Sequence, residues 1–306
     1  MIDPPEIIDS QMGFTPRPLN GLVDLHTHSS ASDGSFSPAE LIAEAVRQGL
    51  CALALTDHDT IGGLEEAARA ARKTGLRFIP GIELQIQWNH DNGENSGEFH
   101  LLGLGLYSPS PGFLKTVADL AQRRENRNLE ILERMRELSI DISYDEVKTL
   151  GGGHSIGRPH FAALLVKRRI VRNIEQAFSR YLGRGKALYV PKAGLEFERA
   201  VSIIKESGGI TVLAHPMSLY VSWGRLPVLI KDLKDKGLDG IEAWHPTAKA
   251  SSCKRLEELG KSLNLVITAG SDFHGARRPD RKLGITAGGR KIDASFLEAI
   301  PHLGND

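Results

Sequence analysis

The strongest constraint in this sequence is a regular exchange between short apolar runs and helix-like segments, broken once by a long helical stretch. "GLVDLHTH" reads as a strand that runs out into polar residues. The next segment, "SPAELIAEAVRQG", carries helix signals at both ends. Ser37 stands at the N-cap with Pro38 at the first helical position, Glu40 completes a capping box, and Gly49 closes the segment. "LCALALT", "LRFIPGIELQI" and "FHLLGLGL" read as further strands. "GGLEEAARAARKTG" reads as a helix between the first two of these, and the polar, Gly/Asn-rich residues 88–98 link the last two. From about residue 113 the pattern turns helical, with Leu129, Leu132, Met135 and Leu138 as the apolar positions of one long segment. A triple glycine at 151–153 separates it from a second helical run, "RPHFAALLVKRR". Alternation then resumes with a strand at 210–214, a helix near 224–236, the strand "LDGIEAW", a helix at 249–263, the strand "LVITAGSD" and a late strand near 283–287.

Apolar strands alternating with helices predict an α/β fold whose parallel sheet is covered by helices. The number of strands suits a barrel. The expected organisation is an N-terminal extension over 1–20, a discontinuous barrel over 21–114 and 194–306, and a mostly helical insertion over 115–193. A chain of 306 residues is long enough to bury a barrel-sized core. The only cysteines, Cys51 and Cys253, cannot form a disulfide framework, which suits a reducing compartment. The first twenty residues lack a basic start followed by an apolar stretch, and no run approaches the roughly 20 apolar residues of a membrane span. The expected location is therefore cytoplasmic, without membrane association.

Formal net charge is zero, yet its distribution is uneven. Residues 119–192 hold 15 Lys/Arg against 9 Asp/Glu, and residues 158–192 hold 9 against 1. A basic segment on an otherwise acidic chain suggests an anionic ligand. The competing reading is a solvated helix face, which is preferred for Lys167 to Arg172. Binding to long nucleic acid is expected to be modest, because a single segment of a neutral chain is basic.

The histidines carry the chemistry. Of eleven, His26, His28, His58, His215 and His274 stand where strands run out, while His100 opens its strand. Asp33, Glu83 and Asp272 occupy matching places. Each alone is weak, and "TDHDT" could be a turn or a helix cap. The His26/His28 pair says more, because alternation sends both side chains to one face of an extended chain. In parallel α/β folds the C-terminal strand ends converge on one cavity, so these groups would meet there. Burying so many titratable groups without a cation is highly unfavourable. Imidazole and carboxylate without thiolate suit Zn²⁺, Mn²⁺ or Fe²⁺ better than Ca²⁺ or Mg²⁺. The ligands are too many for one ion and about right for three, with a carboxylate bridging two.

In that order, "DLHTHSSASDG", "TDHDT", "GIELQ", "HLLGLGL", "AHP" and "GSDFHG" resemble the successive motifs of the PHP (polymerase and histidinol phosphatase) superfamily, over about residues 21–118 and 194–300. The interrupting segment, with "QRRENRN" and "SIGRPHFA", resembles the stand-alone phosphoesterases that act on nucleotides and short oligonucleotides. The resemblance implies a distorted (β/α)7 barrel and a trinuclear site. His26, His28, Glu83 and Asp272 would bind one divalent ion. Glu83 would bridge to a second ion held by His100 and His215, and Asp33, His58 and His274 would hold the third. Glu83, His58 and Asp272 would be the catalytic residues around a bridging hydroxide, with Asp57 and Asp59 orienting ligand rings. Arg127 and Arg158 are the leading candidates for phosphate contacts, followed by Arg124 and His160, since guanidinium matches phosphate bidentately. His245 in "EAWHP" resembles a substrate-side position.

The expected activity is hydrolysis of a phosphate ester of a nucleotide, such as a nucleoside monophosphate or 3′,5′-bisphosphate, or of a short 5′-phosphorylated oligonucleotide. No obligate protein partner is evident. One alternative is a histidinol-phosphate-type small-molecule phosphatase, which the "GRPHFA" segment disfavours. Amidohydrolase barrels also begin with HxH, but the Asp272/His274 pair and "TDHD" favour a phosphoesterase. A non-catalytic interaction module is a further alternative, and the complete ligand set speaks against it.

Overall fold

The computed structural model describes residues 20–88, 97–150, 156–300 and 303. The N-terminal extension up to residue 19, the triple glycine and most of the 88–98 loop lie outside them. The chain divides into two compact units, Met1–Lys115 with Gly194–Asp306, and Thr116–Ala193.

The first unit is built on seven strands: β1 (Leu22–Asp24), β2 (Leu50–Leu55), β3 (Arg77–Gln85), β4 (His100–Leu104), β5 (Ile210–Leu213), β6 (Gly240–Trp244) and β7 (Val266–Ala269), adjacent in that order. Helix α1 (Pro38–Arg47) follows β1, and α2 (Leu64–Thr74) follows β2. The capping box forms as its residues dictate. Glu40 N donates to Ser37 Oγ at 3.2 Å, and Ser37 N donates to Glu40 Oε2 at 2.8 Å. The buried faces of both helices, including Leu41, Ile42, Leu64 and Ala67, pack on Leu53 and Leu55 of β2. Each of the Leu and Ile side chains removed from water contributes roughly 1.5–3 kcal/mol. Beyond the named strands, Asp272 N donates to His26 O (2.9 Å) and His28 N donates to Phe273 O (3.0 Å). The first and last strands are thereby linked, and the sheet nearly closes into a distorted barrel.

Two expectations change. The sheet is mixed rather than parallel, because β4 runs antiparallel to both β3 and β5. Antiparallel neighbours can be joined without a crossover helix, and the polar 88–98 link was the sign of it. The late strand near 283–287 is absent; isolated bridges join Lys282 to Ile285 and Ile285 to Lys291 instead. Gly284, at φ +68°, turns the chain there, and its N–H donates to the buried Asp24 carboxylate at 2.8 Å.

The second unit is helical. It comprises most of α3 (Pro111–Glu137), then α4 (Tyr144–Leu150), α5 (Arg158–Lys167) and α6 (Ile174–Ala177), which continues into a π-helical turn at Phe178–Leu182. Its own core contains Ile131, Leu132, Met135, Phe161, Leu165 and Leu182. Leu129 and Leu138 are exposed, contrary to the apolar face expected of them. The buried stripe runs through Asn128, Ile131, Leu132 and Met135, the i, i+3, i+4, i+7 pattern, and leaves those two leucines off it. The chain returns to the barrel through α7 (Phe197–Glu206), and α8 (Leu226–Asp235), α9 (Ala250–Ser262) and α10 (Ser295–Glu298) complete its helices.

Candidate metal centre

The parallel strands deliver their polar ends to one side of the sheet, and the reversed β4 explains why His100 opens its strand. Running antiparallel, β4 places His100 opposite Gln85, at the end of β3. Asp33 reaches the cluster from the loop after β1. That loop is held by Asp57, which accepts from Ser29 N (2.8 Å), Ser29 Oγ (2.6 Å) and Ser32 Oγ (2.6 Å). Asp57 thus orients the Asp33 loop, not the His58 ring. Asp59 N donates to Glu83 O (2.9 Å), and Asp59 Oδ1 accepts from Gln85 N (3.0 Å), which ties the end of β2 to β3. Asp59, His215 and Asp272 are non-glycine residues in the left-handed region, at φ 52°, 29° and 52°. Such conformations cost roughly 1–3 kcal/mol each and persist where the surroundings over-determine them. At Gly270 a Cβ would lie 2.3 Å from His26 Cβ and 2.5 Å from Glu242 Oε1, so only glycine allows that approach.

All the strand-end groups singled out in the sequence meet here, in three overlapping sets. In the first, His26 Nε2 and His28 Nε2 are 3.1 Å apart, 3.3 and 3.2 Å from Glu83 Oε2, and 3.7 and 3.3 Å from Asp272 Oδ1. In the second, Glu83 Oε1 lies 2.7 Å from His100 Nδ1 and 3.0 Å from His215 Nε2, which are 3.3 Å from each other. In the third, Asp33 Oδ1 is 3.1 Å from His274 Nε2, and Asp33 Oδ2 is 3.8 Å from His58 Nε2. His28 Nδ1 also faces Asp33 Oδ1 at 3.9 Å, and His58 Nδ1 faces Glu83 Oε2 at 2.9 Å. Donors bonded to one ion at roughly 2.0–2.2 Å lie roughly 3–3.5 Å from one another, close to the 3.1–3.7 Å of the first set and the 2.7–3.3 Å of the second. The two oxygens of Glu83 face different sets, the placement of a bridging carboxylate.

Hydrogen bonding outside the cluster fixes the rings. His26 Nδ1 donates to Glu242 Oε1 (3.0 Å). His100 Nε2 donates to Gln85 Oε1 (2.8 Å), whose amide nitrogen is committed to Ile86 O and Phe99 O. His274 Nδ1 donates to Asp272 O (2.8 Å). His215 Nδ1 lies 2.6 Å from Ser218 Oγ, whose own hydroxyl donates to Glu98 O, so the histidine is the donor. Each of these four rings therefore spends its proton outward and turns its other nitrogen into the cluster. Metal-binding histidines are oriented in this way.

The electrostatics agree. Burial opposes charge on Glu83, yet His58, His100 and His26 hold its carboxyl well below the usual range. Burial likewise opposes charge on His28, but Asp272 and Glu83 push it up to about 10. Burial lowers His100 and His245. Ring nitrogens of five histidines crowd Glu83 within 3.3 Å, and protonating all of them would concentrate positive charge in a buried site. Among the described residues, Glu83 Oε2 and His28 Nδ1 are buried without a hydrogen-bond partner. A cation answers both problems, so the donor set fits divalent metal binding.

The remaining candidates divide between the units. His245 joins the barrel cluster. Its Nδ1 lies 2.6 Å from Thr247 Oγ1, and its Nε2 lies 3.3 Å from Asp272 Oδ2 and 3.4 Å from Arg281 Nη1. Arg124, Arg127, Arg158 and His160 lie in the helical unit. Burial and the neighbouring Arg158 and Arg124 lower Arg127 to about 10. Arg127 Nε donates to Val190 O (2.9 Å), and Arg158 Nη1 to Leu182 O (3.3 Å) beneath the Tyr189 and Phe178 rings. His160 Nδ1 accepts from Gly157 N at 3.1 Å, closing the first turn of α5.

Among known proteins, the PHP domain matches residues 24–186. A 5′-3′ exoribonuclease of Haemophilus influenzae is 37% identical over 251 residues, 82% of this chain and 89% of that protein. The chain belongs to the PHP domain family. A 3′,5′-nucleoside bisphosphate phosphatase of Chromobacterium violaceum is 33% identical to this PHP chain over 278 residues, 86% of it and 91% of that protein. A solved amidohydrolase structure from Chromobacterium violaceum, with bound sulfate and no metal, superposes with TM-score 0.76 at 30% identity, covering 89% of this chain and 93% of that one. No helix among the described residues is long and apolar enough to cross a membrane.

The structure also adds residues to this PHP site that sequence reasoning missed. Glu242 grips His26 Nδ1 with one oxygen and accepts from His215 N (2.8 Å) with the other. Asp24 accepts from Ser271 N, Gly284 N and His26 N, and burial raises it to about 6. Arg281, almost fully buried, places Nη1 3.5 Å from Asp272 Oδ2. The available signal was a charged residue inside an apolar strand, in "GIEAW" for Glu242 and in "LVD" for Asp24.

Proposed function

We propose that the chain is a metal-dependent phosphoric ester hydrolase acting on a nucleotide, either a nucleoside 3′,5′-bisphosphate or a short 5′-phosphorylated oligonucleotide. The observation that carries this reading is Glu83, flanked by imidazoles whose outward nitrogens are pinned so that their inner ones converge on it. The relatives named above, an exoribonuclease and a bisphosphate phosphatase, support the substrate class. The sulfate of the solved relative is a tetrahedral oxyanion like phosphate. The Asp272/His274 pair and Glu83 favour this over amide hydrolysis.

In this reading His26, His28, Glu83 and Asp272 hold one ion, Glu83 with His100 and His215 a second, and Asp33, His58 and His274 a third, drawn from Mn²⁺, Fe²⁺ and Zn²⁺. When bound, such ions acidify water and neutralise charge on phosphoryl oxygens. The chain's residues supply the rest. Glu242 keeps the His26 proton on Nδ1. His245 Nε2 and the Arg281 guanidinium hold Asp272 Oδ2, so that Oδ1 stays turned to His26 and His28. Residues 115–193 act as the substrate-binding cap, in which Arg127 and Arg158 bind a phosphate, with Arg124 beside them. The crowding that lowers Arg127 is relieved when an anion joins the three guanidiniums. His160 fixes the first turn of α5, on which Arg158 stands.

The test offers metal-loaded protein AMP, adenosine 3′,5′-bisphosphate and a 5′-phosphorylated tetranucleotide, and measures phosphate and mononucleotide release. Turnover of the bisphosphate or the tetranucleotide is expected; release from none of the three would reject the reading.

A further inference from the structure

We propose that an open pocket on the helical unit, lined by Arg169, Arg172 and Arg180, is a second phosphate subsite that holds a downstream nucleotide of a single-stranded oligonucleotide substrate. The inference rests on the nucleotide phosphoesterase reading and deepens it, because a mononucleotide would not need this pocket.

The pocket encloses about 500 Å³, within the usual size range of small-ligand sites. Arg169 and Arg172, expected from the sequence to lie on a solvated helix face, line this concavity with Arg180 instead; all three are exposed and, among the described residues, none has an acidic partner. Their neighbours differ: Arg168 pairs with Glu146, and Arg134 pairs with Glu130. The single acid of residues 158–192, Glu175, forms no ion pair with them. Val166 and Ile170, both half-buried, supply an apolar part to the lining. Gln176 Oε1 accepts from Arg172 N at 2.7 Å, which leaves its NH₂ group available to donate. A concave surface with three guanidiniums unpaired by acids (that of Arg180 lies 5.6 Å from the Tyr181 ring centroid), an amide donor and an apolar wall matches a phosphate joined to ribose and base. An acidic peptide would not use the apolar wall in this way.

Two features tie the pocket to the helical unit's other arginines. Arg169 occupies the position just past the end of α5 at φ +58°, where glycine is favoured. An arginine stands in that strained place, and its side chain lines the pocket. The π-helical turn Phe178–Leu182 is shared as well. Leu182 O accepts from Arg158, the Phe178 ring lies 5.8 Å from the Arg158 guanidinium, and Arg180 of the same turn lines the pocket. Short π segments inserted into helices often mark functional sites. A substrate chain could thus touch Arg158 on one side of the turn and Arg180 on the other.

The test compares the metal-loaded protein with an R169Q/R172Q/R180Q variant on a 5′-phosphorylated hexaribonucleotide and on adenosine 3′,5′-bisphosphate. The ratio of kcat/KM for the hexanucleotide to that for the bisphosphate is expected to fall about tenfold at low salt. The slope of log kcat/KM against log salt for the hexanucleotide should become shallower by about 0.7, as for one lost single-strand phosphate contact. An unchanged ratio and slope would overturn the subsite, and so would an equal fall on both substrates. A native protein that hydrolyses neither substrate would reject the underlying reading instead, with no variant needed.

Discussion

In the barrel, charges of both signs are buried against one another: Glu83 and Asp272 lie within 3.7 Å of ring nitrogens, and each group's protonation is set by its neighbours. In the helical unit, the functional candidates share one sign. Arg127 and Arg158 donate to backbone carbonyls, and Arg158 also lies by the Phe178 and Tyr189 rings; burial and then the neighbouring Arg158 and Arg124 lower Arg127, which Tyr189 and Glu130 offset only in part. The lesson is that two regions of a formally neutral chain can be specialised for opposite ligands. The barrel presents lone pairs that a cation would satisfy, while the helical unit presents donors that an anion would satisfy.

Removing the carboxylate that links the sets should break this contrast most severely. Glu83→Ala is expected to lower kcat by roughly 10³-fold or more, since metals supply several kcal/mol of transition-state stabilisation. It should also lower the metal content per chain, measured by elemental analysis. Full metal content with unchanged kcat would mean that Glu83 is not the hub. A milder change sharpens the picture. Glu242→Gln keeps the shape but weakens the hold on His26 Nδ1, and metal affinity should fall about 10–100-fold in a chelator competition. An affinity within twofold of the native protein would assign Glu242 to packing alone. The smallest effect is expected in the helical unit. Arg158→Gln should raise KM for the bisphosphate about tenfold while kcat changes less, with metal content untouched. A loss confined to kcat would instead place Arg158 with the reacting atoms.

Much of the centre was legible because its parts are chemically unusual where they stand. Histidines and acids at the ends of apolar runs, together with HxH alternation, singled out the side chains that the fold brings together, and the family resemblance suggested grouping Asp33 with His58 and His274, to which it lies close. What escaped were groups whose role depends on a neighbour far along the chain. Glu242 lies 216 residues from the ring it orients, and nothing near it in sequence names His26. Asp57 was expected beside His58 because they are adjacent, but its carboxylate points to Ser29 and Ser32. The exposed Leu129 and Leu138 show the same limit, since periodicity gives a face its width but not its centre.

The sequence by itself determined the strand–helix order, the interruption by a helical unit, the capped α1 and the inventory of candidate metal-binding side chains. Those properties are local, being set by propensity, capping and side-chain chemistry within a few residues. Only the tertiary structure decided that β4 runs backwards, which brings His100 to the same end as the other candidate ligands. It alone decided that Arg169, Arg172 and Arg180 share one pocket, and which nitrogen of each fixed ring faces the cluster. These follow from strand pairing and from hydrogen bonds across tens to hundreds of residues, where the free energy of a contact depends on the partner's position rather than on either residue alone.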